Sequence, residues 1–253
     1  MTAPDGSTAT PPRRGRRVVR WGLATVRPLL AMNFVSGAPT RMAAGVPDDA
    51  PNGLIEGPRV LNLLVVGGLS GSAIGVRSYD QGVAHQLAQR LHRLTGRGVE
   101  WETLAHPKLR LAATSETLQQ LPGLASYDLV VLSPGIADLL AFMPIAAWRR
   151  EFERLIWFLD AATARGARLL VTEVPDVSNY VQVGPFVSGV LSQDSRELSA
   201  IAAEVCESLP RAHYLTLPPI TSTDFIDGAF SYSTLYRRWG SHLADQAVAV
   251  IDD

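Results

Sequence analysis

The stretch Leu61–Val76, reading LNLLVVGGLSGSAIGV, constrains the fold more than any other part of the chain. From Leu61 to Val66 every residue but Asn62 is apolar. A short apolar run without polar alternation suits a strand covered on both faces, as in a parallel sheet. It ends in Gly67-Gly68, and Gly71 and Gly75 follow. Glycine permits a sharp turn and a close approach of backbone to a ligand. An amphipathic stretch, Gly82–Leu94, comes next. Strand, glycine-rich turn and helix in that order mark the place where α/β proteins put their chemistry, the carboxyl end of the first strand.

Spacing argues against two chemistries at this turn. A phosphate-cradling loop needs Gly, four residues, then Gly-Lys-Ser/Thr, and no lysine stands here. A dinucleotide fingerprint needs G-x-G-x-x-G with an acidic residue about 20 positions on. Gly67, Gly68, Gly71 and Gly75 do not give that spacing. The expectation is therefore no cofactor. No metal site is expected either. His85 and His92 stand seven positions apart on one helix face, whereas zinc pairs use i, i+4 spacing with a third ligand.

Strands and helices alternate from Pro58 onward. Gly98–Ala105 reads as strand two, with Val99, Trp101, Thr103 and Ala105 on one face. A short helix over Ser115–Leu121 could be capped by Thr114 or Ser115. Tyr127–Ser133 reads as strand three. Ala147–Arg165 is an amphipathic helix with Phe152, Leu155, Ile156 and Leu159 inward, and Gly166 stands where a C-cap belongs. Ala167–Val174 is strand four, Ser195–Leu209 a helix, Ala212–Leu217 strand five and Ser233–Ile251 the closing helix. Alternation of this kind predicts a doubly wound, five-stranded parallel sheet with right-handed crossovers, in the flavodoxin-like order 2-1-3-4-5.

Residues 1–57 read as a basic arm and connector, and residues 58–253 as the domain. Met1–Gly15 is rich in Pro, Gly, Ser and Thr, a composition expected to be disordered. Arg13, Arg14, Arg16, Arg17 and Arg20 form a basic cluster. Trp21–Val35 reads as a short apolar helix interrupted by Arg27 and Pro28, and Gly45–Pro58 as a connector. A secretion signal, a membrane-surface anchor and a tail packed on the domain are the three readings. Packing is preferred over anchoring, and anchoring over secretion. The expected location is cytoplasmic, with at most a weak membrane-surface contact through Arg13–Arg20 and the helix after it. No run of about 20 apolar residues is present to span a bilayer. A net charge of −1 gives no reason to expect a nucleic-acid partner. The lone cysteine, Cys206, lies in an apolar helical pattern and reads as a buried side chain.

From about Pro58 to Ile251 the chain resembles the SGNH, or GDSL-type, hydrolases, in particular the bacterial small α/β esterases. RVLNLLVVGG is similar to their first strand and nucleophile turn, and GVEWETLA to strand two. YDLVVLSPGIAD is similar to strand three with its G-x-N-D block. ARLLVTEVPDVS is similar to strand four and its proline exit. FIDGAFSYSTLYRRWGSHLADQAVAVI is similar to the final block, where the family has D-G-x-H-P, a tyrosine and a tryptophan-bearing helix. The resemblance implies a three-layer sandwich. It also implies a serine that attacks an acyl carbonyl, a serine amide, glycine amide and asparagine around the oxyanion, and an Asp-x-x-His pair that supplies the base. Such a site needs an activated nucleophile and donors where negative charge develops.

Carried over residue by residue, the name-giving positions are substituted. G-D-S falls on Gly67-Gly68-Leu69, so Leu69 stands at the nucleophile. The oxyanion glycine falls near Lys108. G-x-N-D is Gly135-Ile136-Ala137-Asp138, with Ala137 for the asparagine. D-x-x-H is Asp227-Gly228-Ala229-Phe230, with Phe230 for the base. Asp138 and Asp227 survive, and Tyr236 and Trp239 keep their spacing.

The resemblance thus leads to a catalytically silent protein of this fold that acts by binding a ligand or partner. A small acyl or anionic ligand is expected, since Lys108 brings a positive charge to the former oxyanion rim. The alternative is an active carboxylic-ester hydrolase or acyltransferase with a relocated site. Ser70 would then be the nucleophile, His106 or His242 the base, and Asp227 the orienting group. Each has a plainer reading: Ser70 and Asp227 as turn residues, His106 as a loop residue, His242 as a helix-packing side chain. Ser72 reads as a helix cap and His213 as the start of strand five.

Overall fold

The computed structural model describes residues 45–68, 71, 73–106, 109–178, 184–227 and 229–251. The basic cluster and the apolar helix expected over Trp21–Val35 lie outside the described residues.

The predicted first strand forms β2, Leu61–Gly67, at the centre of the sheet. All its residues but Asn62 are buried, because helices cover both faces. Around it run β1 (Asn52–Ile55), β3 (Val99–Ala105), β4 (Leu129–Ser133), β5 (Arg168–Thr172) and β6 (Ala212–Leu215), in the order β1-β3-β2-β4-β5-β6. β3, β2, β4, β5 and β6 are parallel and reproduce the expected 2-1-3-4-5 core. Val65 pairs with Thr103 on one side and Val131 on the other, which fixes the register at mid-strand.

The sheet has one strand more than the five expected. β1 lies antiparallel on β3, pairing Asn52 with Glu102 and Ile55 with Val99. It comes from the stretch read as a connector, so that stretch contributes the edge strand of the domain. Its burial alternates between exposed and half-buried, too weak a pattern over four residues to mark a strand in sequence. Neighbouring Asp49 ties the segment down. Its carboxylate accepts from Ser78 Oγ at 2.7 Å and from the Tyr79 amide, and these bonds, the serine's first, hold its pKa below the ordinary carboxylate value.

Alternate side chains of the strands feed two cores. Leu64, Val66, Val130, Leu132, Leu169 and Val171 face α2 (Leu111–Gln120), α4 (Ile145–Ala162) and α5 (Pro185–Glu207). Leu63, Val65, Leu129, Val131, Leu170 and Leu215 face α1 (Val83–Thr95) and α6 (Tyr232–Ile251). Full burial of each such side chain stabilises the fold by about 1.5–3 kcal/mol. In the first core Trp148 stacks on Phe152 with ring centroids 4.9 Å apart. Cys206 is buried there as expected, and burial pushes its thiol up to about 12.

Several helix limits differ from the sequence reading. α2 starts at Leu111, so Thr114 and Ser115 are buried inside it rather than capping it. α4 ends at Ala162, where the Thr163 amide donates to Leu159 O, so Gly166 is not its cap. α5 begins ten residues earlier than expected, with Pro185 in its first turn, where proline's missing N–H costs nothing.

α1 and α6 pack closely at Gly240. A Cβ there would stand 2.7 Å from Gln86 Cβ and 2.8 Å from the Leu87 amide nitrogen. Alanine favours a helix by up to about 1 kcal/mol over glycine. Gly240→Ala should nevertheless lower stability by about 1–3 kcal/mol, as overpacking does. Urea unfolding followed by circular dichroism checks this, and an unchanged or raised midpoint would contradict the close packing.

Candidate functional site

Because β2 to β6 run parallel, the segments leaving their carboxyl ends gather on one edge. The β2 exit includes Gly71, where a Cβ would lie 2.9 Å from Ala105 Cβ at the end of β3. Small residues let these two strand ends approach. Leu69, the position that the resemblance assigns to the nucleophile, and Ser70 beside it lie outside the described residues, as do Ser72 and Lys108.

The β4 exit turns at Gly135, whose φ of +92° is a conformation suited to glycine. A Cβ would also collide with Val174. The turn leads into α3, Ile136–Leu140. Ala137 is half-buried in α3 and has no hydrogen-bonding side chain. Asp138, next to it, is buried. Its Oδ2 accepts from the Leu111 amide at 3.3 Å, so it satisfies an N-terminal amide of α2 across 27 residues of sequence. Its Oδ1 has no hydrogen-bond partner among the described residues. Burial therefore dominates and raises its pKa to about 6, against the opposing Leu111 bond and Arg110 charge.

After β6 the chain forms a hairpin, β7 (Phe225–Ile226) against β8 (Ala229–Phe230). Asp227 is exposed at its turn with a φ of +52°, a turn conformation aspartate tolerates better than most residues. Phe230 is half-buried. It packs edge-on between Phe225, at 5.4 Å, and Tyr232, at 4.8 Å between ring centroids. The neighbouring Asp224 is fully buried and holds Arg238 of α6 at 2.9 Å. Tyr236 and Trp239, whose spacing carried the resemblance, have structural roles. The Tyr236 hydroxyl donates to Ile74 O at 2.9 Å, and Trp239 Nε1 donates to Pro218 O at 3.0 Å. They tie α6 to the β2 exit and to the β6 exit.

Two histidines stand at exits of this edge, on separate elements. His106 is exposed just past β3, in a turn closed by Leu109 N donating to its carbonyl. His242 is half-buried on α6, within electrostatic reach of Glu173 at the β5 exit. Glu173 was not singled out in the sequence. It sits between β5 and β6, and burial raises its pKa against a Leu217 backbone bond and His242. A carboxylate next to a strand-terminating Val-Pro was the available signal. His85 lies edge-on to Trp101, and His92 Nδ1 bonds the Arg97 carbonyl. His213 lies in β6. Among the described residues no cluster of three metal-ligating side chains occurs. No described helix is long and apolar enough to cross a membrane.

Under this edge, Ser133, Thr172, Leu217 and Trp239 line a cavity of about 10 Å³, room for one water. A wider cleft, of about 460 Å³, lies elsewhere, near the amino end of β2, between Asn52, Leu54, Asn62, Glu100, Glu102 and Tyr127. There the Tyr127 hydroxyl donates to Glu102 at 2.5 Å.

The fold is that of the SGNH/GDSL-type esterases and lipases. A carbohydrate acetylesterase from Sinorhizobium meliloti superposes with a TM-score of 0.55 at 15% identity, over 75% of this chain and 99% of its own. An aryl esterase from M. smegmatis gives 0.53 at 14%, over 75% and 99%. TesA gives 0.53 at 20%, over 75% and 97%. No protein-family model and no curated protein sequence matches the chain.

Asp138 carries a prediction for pH. Its pKa in the fold, about 6, lies above the ordinary 3.8, so the folded chain holds this proton more tightly than the unfolded one. Its contribution to stability is then complete below about pH 4 and is lost as pH rises to about 6, amounting to about 3 kcal/mol. Asn can keep accepting from Leu111 without ionising. The stability difference between Asp138→Asn and the native chain should therefore grow in the variant's favour from pH 4 to 6 and level off above. A pH-independent difference would show that Asp138 ionises normally.

Proposed function

We propose that this chain is a catalytically silent protein of SGNH fold that binds a small acyl or anionic ligand, or a partner, at the carboxyl edge of its sheet. The observation that carries this reading is Phe230. The position that the resemblance assigns to the general base holds an aromatic ring packed between Phe225 and Tyr232, and a phenyl ring cannot take a proton. Ala137 supports it, since an alanine cannot supply the side-chain donor for an oxyanion. The similar solved structures named as carbohydrate acetylesterase and aryl esterase act on esters, so an ester-like or acyl group is the ligand class to try first. A cytoplasmic location fits the reading of the arm as a tail packed on the domain.

Losing the nucleophile or base of a serine hydrolase costs on the order of 10⁶ in turnover. An oxyanion donor accounts for about a further 10²–10³. The purified full chain should therefore hydrolyse short activated esters at the background rate, and a fluorophosphonate probe should leave Ser70 unlabelled. Turnover well above a Ser70→Ala control would replace this reading with an active esterase or acyltransferase built on Ser70.

A further inference from the structure

β1 is the outer strand of the sheet, with β3 on one side and no described strand on the other. The Thr103 amide donates to Pro51 O at 2.7 Å. Main-chain groups in an antiparallel pair alternate between facing the partner strand and facing away. The N–H and C=O groups of Asn52 and Leu54 therefore point to the open side. Such an edge is a template for one more strand. The side chains of Asn52 and Leu54 lie on the same sheet face as their register partners, Glu102 and Glu100. This corner stays open to water. Leu54 is 58% exposed, Glu100 is exposed and Glu102 is half-buried. Together with Asn62, Ser126 and Tyr127 they line the cleft of about 460 Å³.

The corner sets one apolar side chain beside two carboxylates. Among the described residues no cation forms an ion pair with Glu100 or Glu102. Burial, the bond to Glu102 and the charge of both glutamates raise the Tyr127 pKa, so the tyrosine stays a neutral donor. Lys and Arg have the matching chemistry, an aliphatic stem that covers apolar surface and a charge at its tip. A strand added to β1 lies about 4.8 Å beyond it and about 10 Å from β3. A stem laid over Leu54 brings its charge to Glu100, and one laid past Asn52 brings its charge to Glu102. Side chains of a strand share a face at every second residue, so the fitting segment carries basic residues at alternate positions. A second copy of this chain fits less well. Pairing β1 with itself would gather both sets of glutamates on one sheet face, and like charges oppose that.

We infer that the open edge of β1 takes an extended basic segment of a partner protein as an added strand, with cationic side chains at alternate positions reaching Glu100 and Glu102. Main-chain hydrogen bonds hold the segment, and the alternating charges select it. The inference rests on the β1 corner alone and does not depend on what the carboxyl edge binds.

Two fluorescently labelled peptides of identical composition test it on the full chain. Ser-Thr-Arg-Val-Arg-Thr-Ser has its arginines at alternate positions, and Ser-Thr-Val-Arg-Arg-Thr-Ser has them adjacent, which turns one to the opposite face. In about 0.15 M salt, where loose charge attraction is screened, the first should bind at least about threefold more tightly by anisotropy. The double variant Glu100→Gln/Glu102→Gln should weaken binding and erase the preference. Glutamine still accepts from Tyr127, so the fold should be kept, and unchanged hydrogen exchange in α1 and β2 verifies that. Bound peptide should also slow exchange of the Leu54 amide, read by NMR, at least about tenfold, because that N–H gains a strand partner. Equal binding of the two peptides overturns the inference, as does binding that leaves the Leu54 amide unprotected or keeps its preference in the double variant. Protection of Leu54 without peptide that fades on dilution assigns the edge to a second copy. Slow exchange of residues 13–20 that the double variant abolishes assigns it to the chain's own arginines. Either result also overturns it.

Discussion

Everything at the candidate site depends on the burial of β2 from both sides. The strand is hydrogen-bonded between β3 and β4, and its alternate side chains enter two separate cores. It cannot shift by one residue without exchanging Leu63 and Val65 for Leu64 and Val66 between cores of different shape, and interiors packed at crystal density do not absorb that. The register of β2 fixes where Gly67 ends, and with it the position of the glycine-rich exit against β3 and β4. A Cβ on Gly67 would stand 2.8 Å from Ser133 O, so the same residue that ends the strand also sets its distance from the β4 exit.

Among the described residues, structural bonds hold the edge built on this frame. Asp138 supports the start of α2, Asp224 holds Arg238, Tyr236 holds the β2 exit and Trp239 holds the β6 exit. In a triad, nucleophile, base and orienting acid form one connected chain of hydrogen bonds. Here Asp138 and Asp227 serve backbone and hairpin. Asp138 is bonded to an amide, and Asp227 occupies an exposed turn. Phe230 packs between Phe225 and Tyr232. Phe225 and Ile226 on that hairpin remain exposed.

The apolar run Leu61–Val66 and the alternation after Pro58 were sufficient by themselves to determine a doubly wound parallel sheet, because burial on both faces leaves an unbroken apolar signature. Leu69, Ala137 and Phe230 could be set against the resembled motifs from sequence alone, because motif spacing is local. The edge strand Asn52–Ile55 was not legible, since four residues half-open to solvent carry no such signature. The start of α2 at Leu111 was hidden because its cap, Asp138, comes from another element. The half-exposed setting of Phe230 and the Glu173–His242 neighbourhood were decided by tertiary structure alone. Each joins residues far apart in sequence, and no local pattern records which of the surfaces left over after the cores close will meet.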